Sequence, residues 1–211
     1  MCGEYEFAGS LVEKFASYHR QSYACKVGVG DVLIGASQTV AEYNGASRAS
    51  HVRDKLIEMN HLNETLYCGC IACASEGHRE PSGTYCVDTL LANVHKQNVT
   101  RFPYEIARLA QDIAGGLLVT LPSESDFRSP EAGKWVQKYF KAGADVSTEH
   151  RMRMLRLIEN LTMGSAAVGY LTESMHGAGS PQAQRIMISR SVNMKEKQRM
   201  AKKLAGISDE G

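Results

Sequence analysis

Residues 29–43 read VGDVLIGASQTVAEY, a run of mostly small and apolar residues that stops at Asn44-Gly45. Small residues along a helix allow a neighbouring helix to approach closely, and an Asn-Gly pair is typical of a helix C-terminus. No strand-like alternation of any length appears elsewhere in the chain. We therefore predict that residues 29–43 form the central helix of a helical bundle.

Helical periodicity continues on both sides of this central segment. Upstream, apolar residues recur at steps of three and four over residues 5–16, which is typical of an amphipathic helix. Downstream, Ser47 is predicted to cap a long helix that ends near residue 75, and Pro103 suits the first turn of a helix that ends at residues 115–116. Further elements are predicted as helices at 87–94, 150–175 (capped by Ser147), 182–189 and 195–203, a loop at 80–83 and a β-like segment at 117–121.

Long amphipathic helices with short connections predict an all-α bundle. We expect residues 1–121 to form the bundle core and residues 122–147 to be a polar connector with one short helix. Residues 148–211 are expected to pack on the bundle as C-terminal helices. Because 211 residues suit one large domain, the three parts are expected to form one domain overall.

The composition narrows the possible functions. The chain has 24 basic and 23 acidic residues, and this balance argues against a nucleic-acid partner. No uncharged apolar run reaches the ~18 residues that would suggest a membrane span, and residues 1–6 do not resemble a signal peptide. We therefore expect a cytoplasmic protein, in which the six cysteines favour free thiols or metal ligands over disulfides.

Residues 19–26 read HRQSYACK and bring together an imidazole, a phenol, a thiol and an amine on His19, Tyr23, Cys25 and Lys26. Each group costs free energy to bury unless it is paired, so few structural roles need this mixture. A metal-linked acid–base site would use all four. Structural roles stay open as alternatives. His19 and Tyr23 could simply be residues at a helix end, and Lys26 could be a solvated charge.

Glu173 is a second candidate, because it lies in an otherwise apolar part of the predicted 150–175 helix. If it is desolvated there, its pKa would be raised, which suits a role in proton transfer. The alternative is a structural partner for the turn at residues 177–180.

Three further cysteines, Cys68, Cys70 and Cys73, have a spacing that suggests a metal cluster. On a helix, however, Cys70 and Cys73 share a face while Cys68 points elsewhere, so the three thiolates do not converge. We favour buried packing cysteines here.

Four stretches carry a resemblance to a known family. They read CGEYEF at residues 2–7, HRQSYACKVGVGD at 19–31, RFPYEI at 101–106 and GYLTESMHGAGSPQAQR at 169–185. The chain resembles the C-terminal, helical half of the 4-hydroxybutyryl-CoA dehydratase family, within the wider group of 4-hydroxyphenylacetate 3-hydroxylase-type flavoproteins. The resemblance covers essentially the whole chain.

The resemblance implies a bundle of the acyl-CoA-dehydrogenase C-terminal type, with an extra C-terminal helical extension, in a homotetramer. It implies radical dehydration of 4-hydroxybutyryl-CoA to crotonyl-CoA, with vinylacetyl-CoA isomerisation as a related activity. FAD and a 4Fe–4S cluster held by three cysteines and one histidine are the implied cofactors. His19 and Cys25 match two of these ligands. The other two cysteines are expected in a missing N-terminal half or subunit, without which the chain is expected to be inactive.

The spacing between the two implied ligands departs from the family pattern, which has one more residue between them. At about 100° per residue, seven positions on an α-helix leave two side chains about 20° apart, whereas six positions leave them about 120° apart. Lys26, not Cys25, would then be aligned with His19. Cluster binding therefore requires the helix to end or bulge near Ala24.

The resemblance also assigns roles to other residues. It implies His19 as a base at C3 of the substrate, Tyr23 and Lys26 as hydrogen-bonding groups, and Glu173 as a catalytic carboxylate. Because glycine lacks a Cβ, four glycines are candidates for close approach to the FAD pyrophosphate: Gly115, Gly116, Gly177 and Gly179. For Gly115 and Gly116, the alternative role is termination of a helix.

Two other functions remain open at the level of the sequence. One is the C-terminal part of a flavin-dependent monooxygenase of the 4-hydroxyphenylacetate 3-hydroxylase type, in which His19 and Cys25 need not bind metal. The other is a non-catalytic helical fragment that only oligomerises. The sequence does not distinguish a true start at Met1 from an internal methionine of a truncated gene.

Overall fold

The computed structural model describes residues 3–143 and 145–207, so Cys2 of the first matching stretch lies outside the described residues. Its α-helices are α1 (Tyr5–Gln21), α2 (Cys25–Tyr43), α3 (Ser50–Ser75), α4 (Thr89–Val99), α5 (Phe102–Ala114), α6 (Glu124–Arg128), α7 (Gly133–Tyr139), α8 (Thr148–Thr162), α9 (Glu173–His176), α10 (Pro181–Ser191) and α11 (Met194–Leu204). Two 3₁₀ turns span Ser22–Ala24 and Gly116–Leu118, and a π-helix spans Val168–Thr172. The predicted all-α class is confirmed.

Helix α2 is the centre of the bundle, as its small apolar residues predicted. It packs against α3, α5 and α8, and the shared core is closed by fully buried side chains from all four helices, Leu33, Met59, Ile106 and Leu155. At Gly30 the backbone of α2 lies against Asn63 of α3, and a Cβ on Gly30 would come within 2.1 Å of the Asn63 amide oxygen. The close helix approach therefore depends on this glycine. Helix α2 ends at Tyr43 with Asn44 as its C-cap, followed by Gly45 with a φ of 69°.

Several predicted features differ from the structure. Helix α3 begins at Ser50 with Ala49 as an extended N-cap that makes no side-chain cap hydrogen bond, so the predicted cap at Ser47 is wrong. The β-like segment at 117–121 is also wrong, because its first part forms the 3₁₀ turn after α5. The strands among the described residues are instead β1 (His78–Arg79) and β2 (Tyr85–Cys86), an antiparallel pair around the predicted loop at 80–83.

The predicted helix at 150–175 is interrupted. The Ser147 hydroxyl caps α8 by accepting a hydrogen bond from the His150 amide, as predicted. Helix α8 ends at Thr162, however, and the chain turns at Gly164, where a Cβ would lie 2.7 Å from the Asn160 side-chain oxygen. After this turn the chain re-enters helix as the wide π-helix and then as α9. Glu173 therefore lies at the start of a short helix and not inside a long one.

None of the helices within residues 3–143 and 145–207 combines the length and apolarity needed to cross a membrane. The domain division at residues 121 and 147 stays a prediction. The connector carries two short helices, α6 and α7, where one was predicted.

Candidate functional site

The helix changes its winding at the segment that carries the reactive groups. Helix α1 ends at Gln21, a 3₁₀ turn spans Ser22–Ala24, and α2 begins at Cys25. Because 3₁₀ steps rotate by about 120° and α steps by about 100°, three 3₁₀ steps reduce the offset between His19 and Cys25 from about 120° to about 60°. The break required near Ala24 is therefore present.

His19 and Cys25 are both exposed on either side of this turn. The His19 ring stacks on the Tyr23 ring with 5.7 Å between centroids. Imidazole and thiolate both suit iron, but no group of three or more potential ligands occurs within the described part of the chain. His19 and Cys25 therefore fit at most two positions of a metal site.

Behind this surface, three of the sequence candidates meet. The Tyr23 hydroxyl donates a hydrogen bond to Glu173 Oε1 over 2.6 Å, and Lys26 Nζ donates to Glu173 Oε2 over 2.5 Å. Lys26 Nζ also donates to the carbonyl of Gly169 over 2.7 Å, within the π-helix. The structure thus brings Tyr23, Lys26 and Glu173 together across 147–150 residues of sequence, and we call them the Tyr23–Glu173–Lys26 cluster.

The protonation of Glu173 differs from the sequence prediction. Desolvation by itself would raise the pKa of its carboxyl group, but the hydrogen bonds from Lys26 and Tyr23 and the charges of Lys26 and Lys96 outweigh it. The pKa therefore lies below its usual range, and the prediction of a raised pKa is wrong. Its side chain remains 46 % exposed. Glu173 is an ionised carboxylate that accepts protons and can be reached from outside.

The pKa of Tyr23 is shifted in the opposite direction from that of Glu173. Burial, followed by the hydrogen bond to Glu173 and the charge of that carboxylate, raises the pKa of its phenol well above the ordinary value. Tyr23 therefore stays protonated at neutral pH and serves as a donor within the cluster.

The loop after α9 explains one of the candidate glycines. A Cβ on Gly177 would lie 1.6 Å from the Tyr23 hydroxyl, so only glycine leaves room for the phenol. Two buried side chains hold the next turn: Arg20 Nε donates to the Ala178 carbonyl over 3.1 Å, and Gln184 Nε2 donates to the Gly179 carbonyl over 3.1 Å. Gly179 needs its residue type for a φ of 100°. Internal packing thus accounts for both glycines, and their role in cofactor binding stays a prediction.

The glycines after α5 have a different environment. Gly115 ends the helix with a φ of 72°, and a Cβ on either Gly115 or Gly116 would meet no atom of the described residues within 4 Å. The backbone there is open to approach by an external group. Their assignment to a flavin pyrophosphate stays a prediction.

The cysteines of α3 behave as the helical spacing indicates. Cys70 and Cys73 are buried on one face and Cys68 is exposed. Desolvation raises the pKa of the Cys73 thiol to about 11, so it is a neutral packing group.

Sequence reasoning missed Lys96 on α4. The helix was predicted over residues 87–94 and so stopped short of Lys96, whereas α4 spans Thr89–Val99 and one buried face of it carries Ala92, His95, Lys96 and Val99. These positions follow the i, i+3, i+4, i+7 pattern of one helix face, so the spacing was visible, but two of the four residues are polar.

The family follows from comparison with known proteins. The profile of the family 4-hydroxyphenylacetate 3-hydroxylase C terminal matches residues 8–206, and the chain belongs to this family. It is similar to 4-hydroxybutyryl-CoA dehydratase/vinylacetyl-CoA-Δ-isomerase of Clostridium aminobutyricum, with 62 % identity over 98 % of this chain and 44 % of that protein.

Solved structures give the same picture of the fold. An oxygen-tolerant archaeal 4-hydroxybutyryl-CoA dehydratase from N. maritimus matches with a TM-score of 0.95 and 62 % identity, over 99 % of this chain and 42 % of that one. The oxygenase component of 4-hydroxyphenylacetate 3-monooxygenase, in complex with FAD and 4-hydroxyphenylacetate, matches with a TM-score of 0.78 and 23 % identity, over 89 % of this chain and 40 % of that one. The latter likeness concerns the fold alone. The chain thus spans less than half the length of these relatives.

Proposed function

We propose that this chain forms the C-terminal helical part of a dehydratase that converts 4-hydroxybutyryl-CoA to crotonyl-CoA by radical chemistry. The observation that carries the proposal is the Tyr23–Glu173–Lys26 cluster, which lies next to the exposed His19 and Cys25. The 62 % identity to the bacterial dehydratase over nearly the whole chain supports the choice of substrate. Isomerisation of vinylacetyl-CoA would be a second activity of the same site.

FAD and a 4Fe–4S cluster, when bound, would supply one-electron chemistry and a Lewis acid for the 4-hydroxyl group. His19 and Cys25 would hold two corners of the iron–sulfur cluster, and Gly115 and Gly116 would leave room for the flavin pyrophosphate. The remaining ligands would come from an N-terminal half or subunit, within a homotetramer in the cytoplasm.

The residues of this chain would move protons. His19 is the candidate base at C3 of the acyl chain. Glu173 is ionised and can take up a proton at either carboxylate oxygen, since Tyr23 and Lys26 hold both oxygens in place. Tyr23 and Lys26 are the donors that can protonate the departing hydroxide, so that it leaves as water.

The test is anaerobic reconstitution with iron, sulfide and FAD, with and without a polypeptide equivalent to the N-terminal part of the Clostridium relative. We expect crotonyl-CoA to form only in the combined sample. Glu173→Gln should lower kcat at least ~100-fold, a typical contribution of a positioned acid–base group, whereas Glu149→Gln, an exposed carboxylate paired with Arg153 on α8, should not. Turnover by the chain alone, or none by the combined sample, contradicts the proposal.

The competing enzyme function is a flavin-dependent phenol hydroxylase. It is favoured by 25 % identity over 68 % of this chain to the oxygenase component of 4-hydroxyphenylacetate 3-monooxygenase of Thermus thermophilus. Iron analysis of the combined sample separates the two functions: about four irons per protomer support the dehydratase, and none supports the hydroxylase. A purely oligomerising fragment would show neither activity, and His19→Ala and Cys25→Ala would leave its behaviour unchanged.

A further inference from the structure

Lys96 is a buried cation on α4. Its side chain lies at the α4 face described above and is 0 % exposed. Within residues 3–143 and 145–207, no carboxylate lies within 4 Å of its nitrogen. Burial of an ammonium group that lacks an ion-pair partner is costly, so this position calls for an explanation other than stability.

The contacts of Lys96 all lead to the Tyr23–Glu173–Lys26 cluster. Its Nζ donates a hydrogen bond to the carbonyl of Ser174, the residue after Glu173. The same atom lies over the face of the Tyr23 ring, 4.4 Å from the centroid. A cation at this distance is attracted by the ring. Lys96 therefore contacts both segments that carry the cluster, one through a backbone carbonyl and one through an aromatic face.

The charges around Lys96 explain its own protonation. Its pKa is lowered to about 8: desolvation is the main cause, the nearby cations Arg20 and Lys26 act in the same direction, and the attraction of Glu173 acts against them. The adjacent His95 is neutral, because desolvation and the charge of Lys96 hold its pKa at about 4. At neutral pH, Lys96 is thus still mostly protonated.

We propose that Lys96 is a positioning residue for the cluster: its buried ammonium group ties the start of α9, through the Ser174 carbonyl, to the Tyr23 ring and so holds Glu173 between Tyr23 and Lys26. Because its own side chain is fully buried, Lys96 acts on the site through Tyr23 and Glu173 and not by touching a substrate. The positioning role of Lys96 stands by itself; only the catalytic purpose of the positioned cluster rests on the proposed function.

The test is a comparison of Lys96→Met with Lys55→Met in the full chain. Methionine has nearly the same length without the charge, and Lys55 on α3 forms a partly exposed ion pair with Asp112 on α5. The titration of Glu173 is followed by NMR of its side-chain carboxyl carbon. We expect Lys96→Met to raise the titration midpoint of Glu173 above that of the parent, and Lys55→Met to leave it unchanged.

A second readout separates positioning from simple support of the fold. Because the buried charge opposes folding, Lys96→Met should melt at the same temperature as the parent or higher. Lys96→Arg, which keeps the charge, should return the Glu173 midpoint toward the parent value.

An unchanged Glu173 midpoint in Lys96→Met overturns the proposal. So does loss of folding in both Lys96→Met and Lys96→Gln, since Lys96 would then be a structural residue. A shifted midpoint together with an inactive reconstituted dehydratase would leave the role of Lys96 intact and contradict the proposed function instead.

Discussion

At the residue scale, the site depends on one missing methyl group. The Tyr23 hydroxyl occupies the space where a side chain of Gly177 would begin, and from there it reaches the Glu173 carboxylate. Any Cβ at this position must displace either the phenol or the loop after α9. The hydrogen bond from Tyr23, which helps to lower the pKa of Glu173, is therefore sensitive to a residue that takes no part in it.

We expect Gly177→Ala to lower the free energy of unfolding by about 1–3 kcal/mol, the usual cost of overpacking a filled site. Urea denaturation of the full chain measures this change. The matched control is Gly35→Ala on α2, where a Cβ meets nothing within 4 Å; it should stabilise the chain by about 0.5–1 kcal/mol through helix propensity. Equal effects of the two substitutions would contradict the assigned packing.

The residue scale also shows where sequence reasoning ended. The residue types of Tyr23, Lys26 and Glu173 were recognised from the sequence, and the structure brings them together. The direction in which the pKa of Glu173 shifts could not be predicted from the sequence, because it depends on which donors reach the carboxylate after folding. Three residues lower this pKa. Tyr23 and Lys26 were predicted as site residues, whereas Lys96 was not.

At the element scale, α4 contributes an unusually polar face to the interior. Next to Lys96, the His95 imidazole packs against α3, where a Cβ on Gly69 would lie 3.1 Å from its Nδ1. His95 is 1 % exposed. The helix starts with an effective N-cap, Asp88, whose carboxylate accepts a hydrogen bond from the Leu91 amide over 2.7 Å. Capping therefore helps to hold a helix whose buried face is only partly apolar.

The buried imidazole should make the stability of the chain depend on pH. Its pKa is about 4 in the folded chain, against an ordinary value of 6.5. Below pH 6.5 the unfolded chain takes up a proton that the folded chain refuses until about pH 4, so stability falls over this window. The difference between the two pKa values of His95 corresponds to a loss of about 3 kcal/mol in the free energy of unfolding.

We expect His95→Gln to remove this part of the pH dependence, because glutamine does not titrate. The measurement is urea denaturation of the parent and the variant at several pH values between 7 and 4. His61→Gln, which changes an exposed histidine on α3, should keep the parent slope. If the stability of His95→Gln changed with pH as steeply as that of the parent, the pKa of His95 would not be lowered by folding.

At the scale of the whole molecule, α1 carries an apolar face that nothing in the described residues covers. Five of its large side chains are between 50 % and 80 % exposed: Tyr5, Phe7, Leu11, Val12 and Phe15. The periodicity predicted the amphipathic helix correctly, since α1 spans Tyr5–Gln21. An apolar stripe is normally taken as the core-facing side, and here it faces outward. Periodicity alone does not reveal which surface a helix face meets.

We expect the chain in isolation to bind a hydrophobic dye such as ANS at this face. The double substitution of Val12 and Phe15 by glutamine should lower the fluorescence while changing the free energy of unfolding by less than about 0.5 kcal/mol, as is usual at exposed positions. Val119→Gln, at an isolated residue that is 81 % exposed, is the control and should leave the dye signal unchanged. A large loss of stability in the double variant would mean that the face is buried.

The bundle itself was largely predictable, because α2 and α5 carry continuous helical patterns with clear stop signals at Asn44 and Gly115. The segment from α8 to α9 was not. Its apolar pattern runs on past Thr162, and neither the turn at Gly164 nor the wide π-helix leaves a signal in hydrophobic periodicity. These irregular turns are set by tertiary contacts, such as the bond from Lys26 to the Gly169 carbonyl.

The two irregular turns have an evolutionary consequence. A tight 3₁₀ turn precedes Lys26, and a wide π-helix precedes Glu173. Loss of one residue from the π-helix would rotate Glu173 by about 100° about the helix axis, whereas most exchanges of side chains on its outer surface would not move it. Natural variants of this chain should therefore tolerate changes of residue type in the π-helix far better than changes of its length. Across many sequences, gaps near residues 168–172 would mark lineages in which the position of Glu173 was lost or rebuilt.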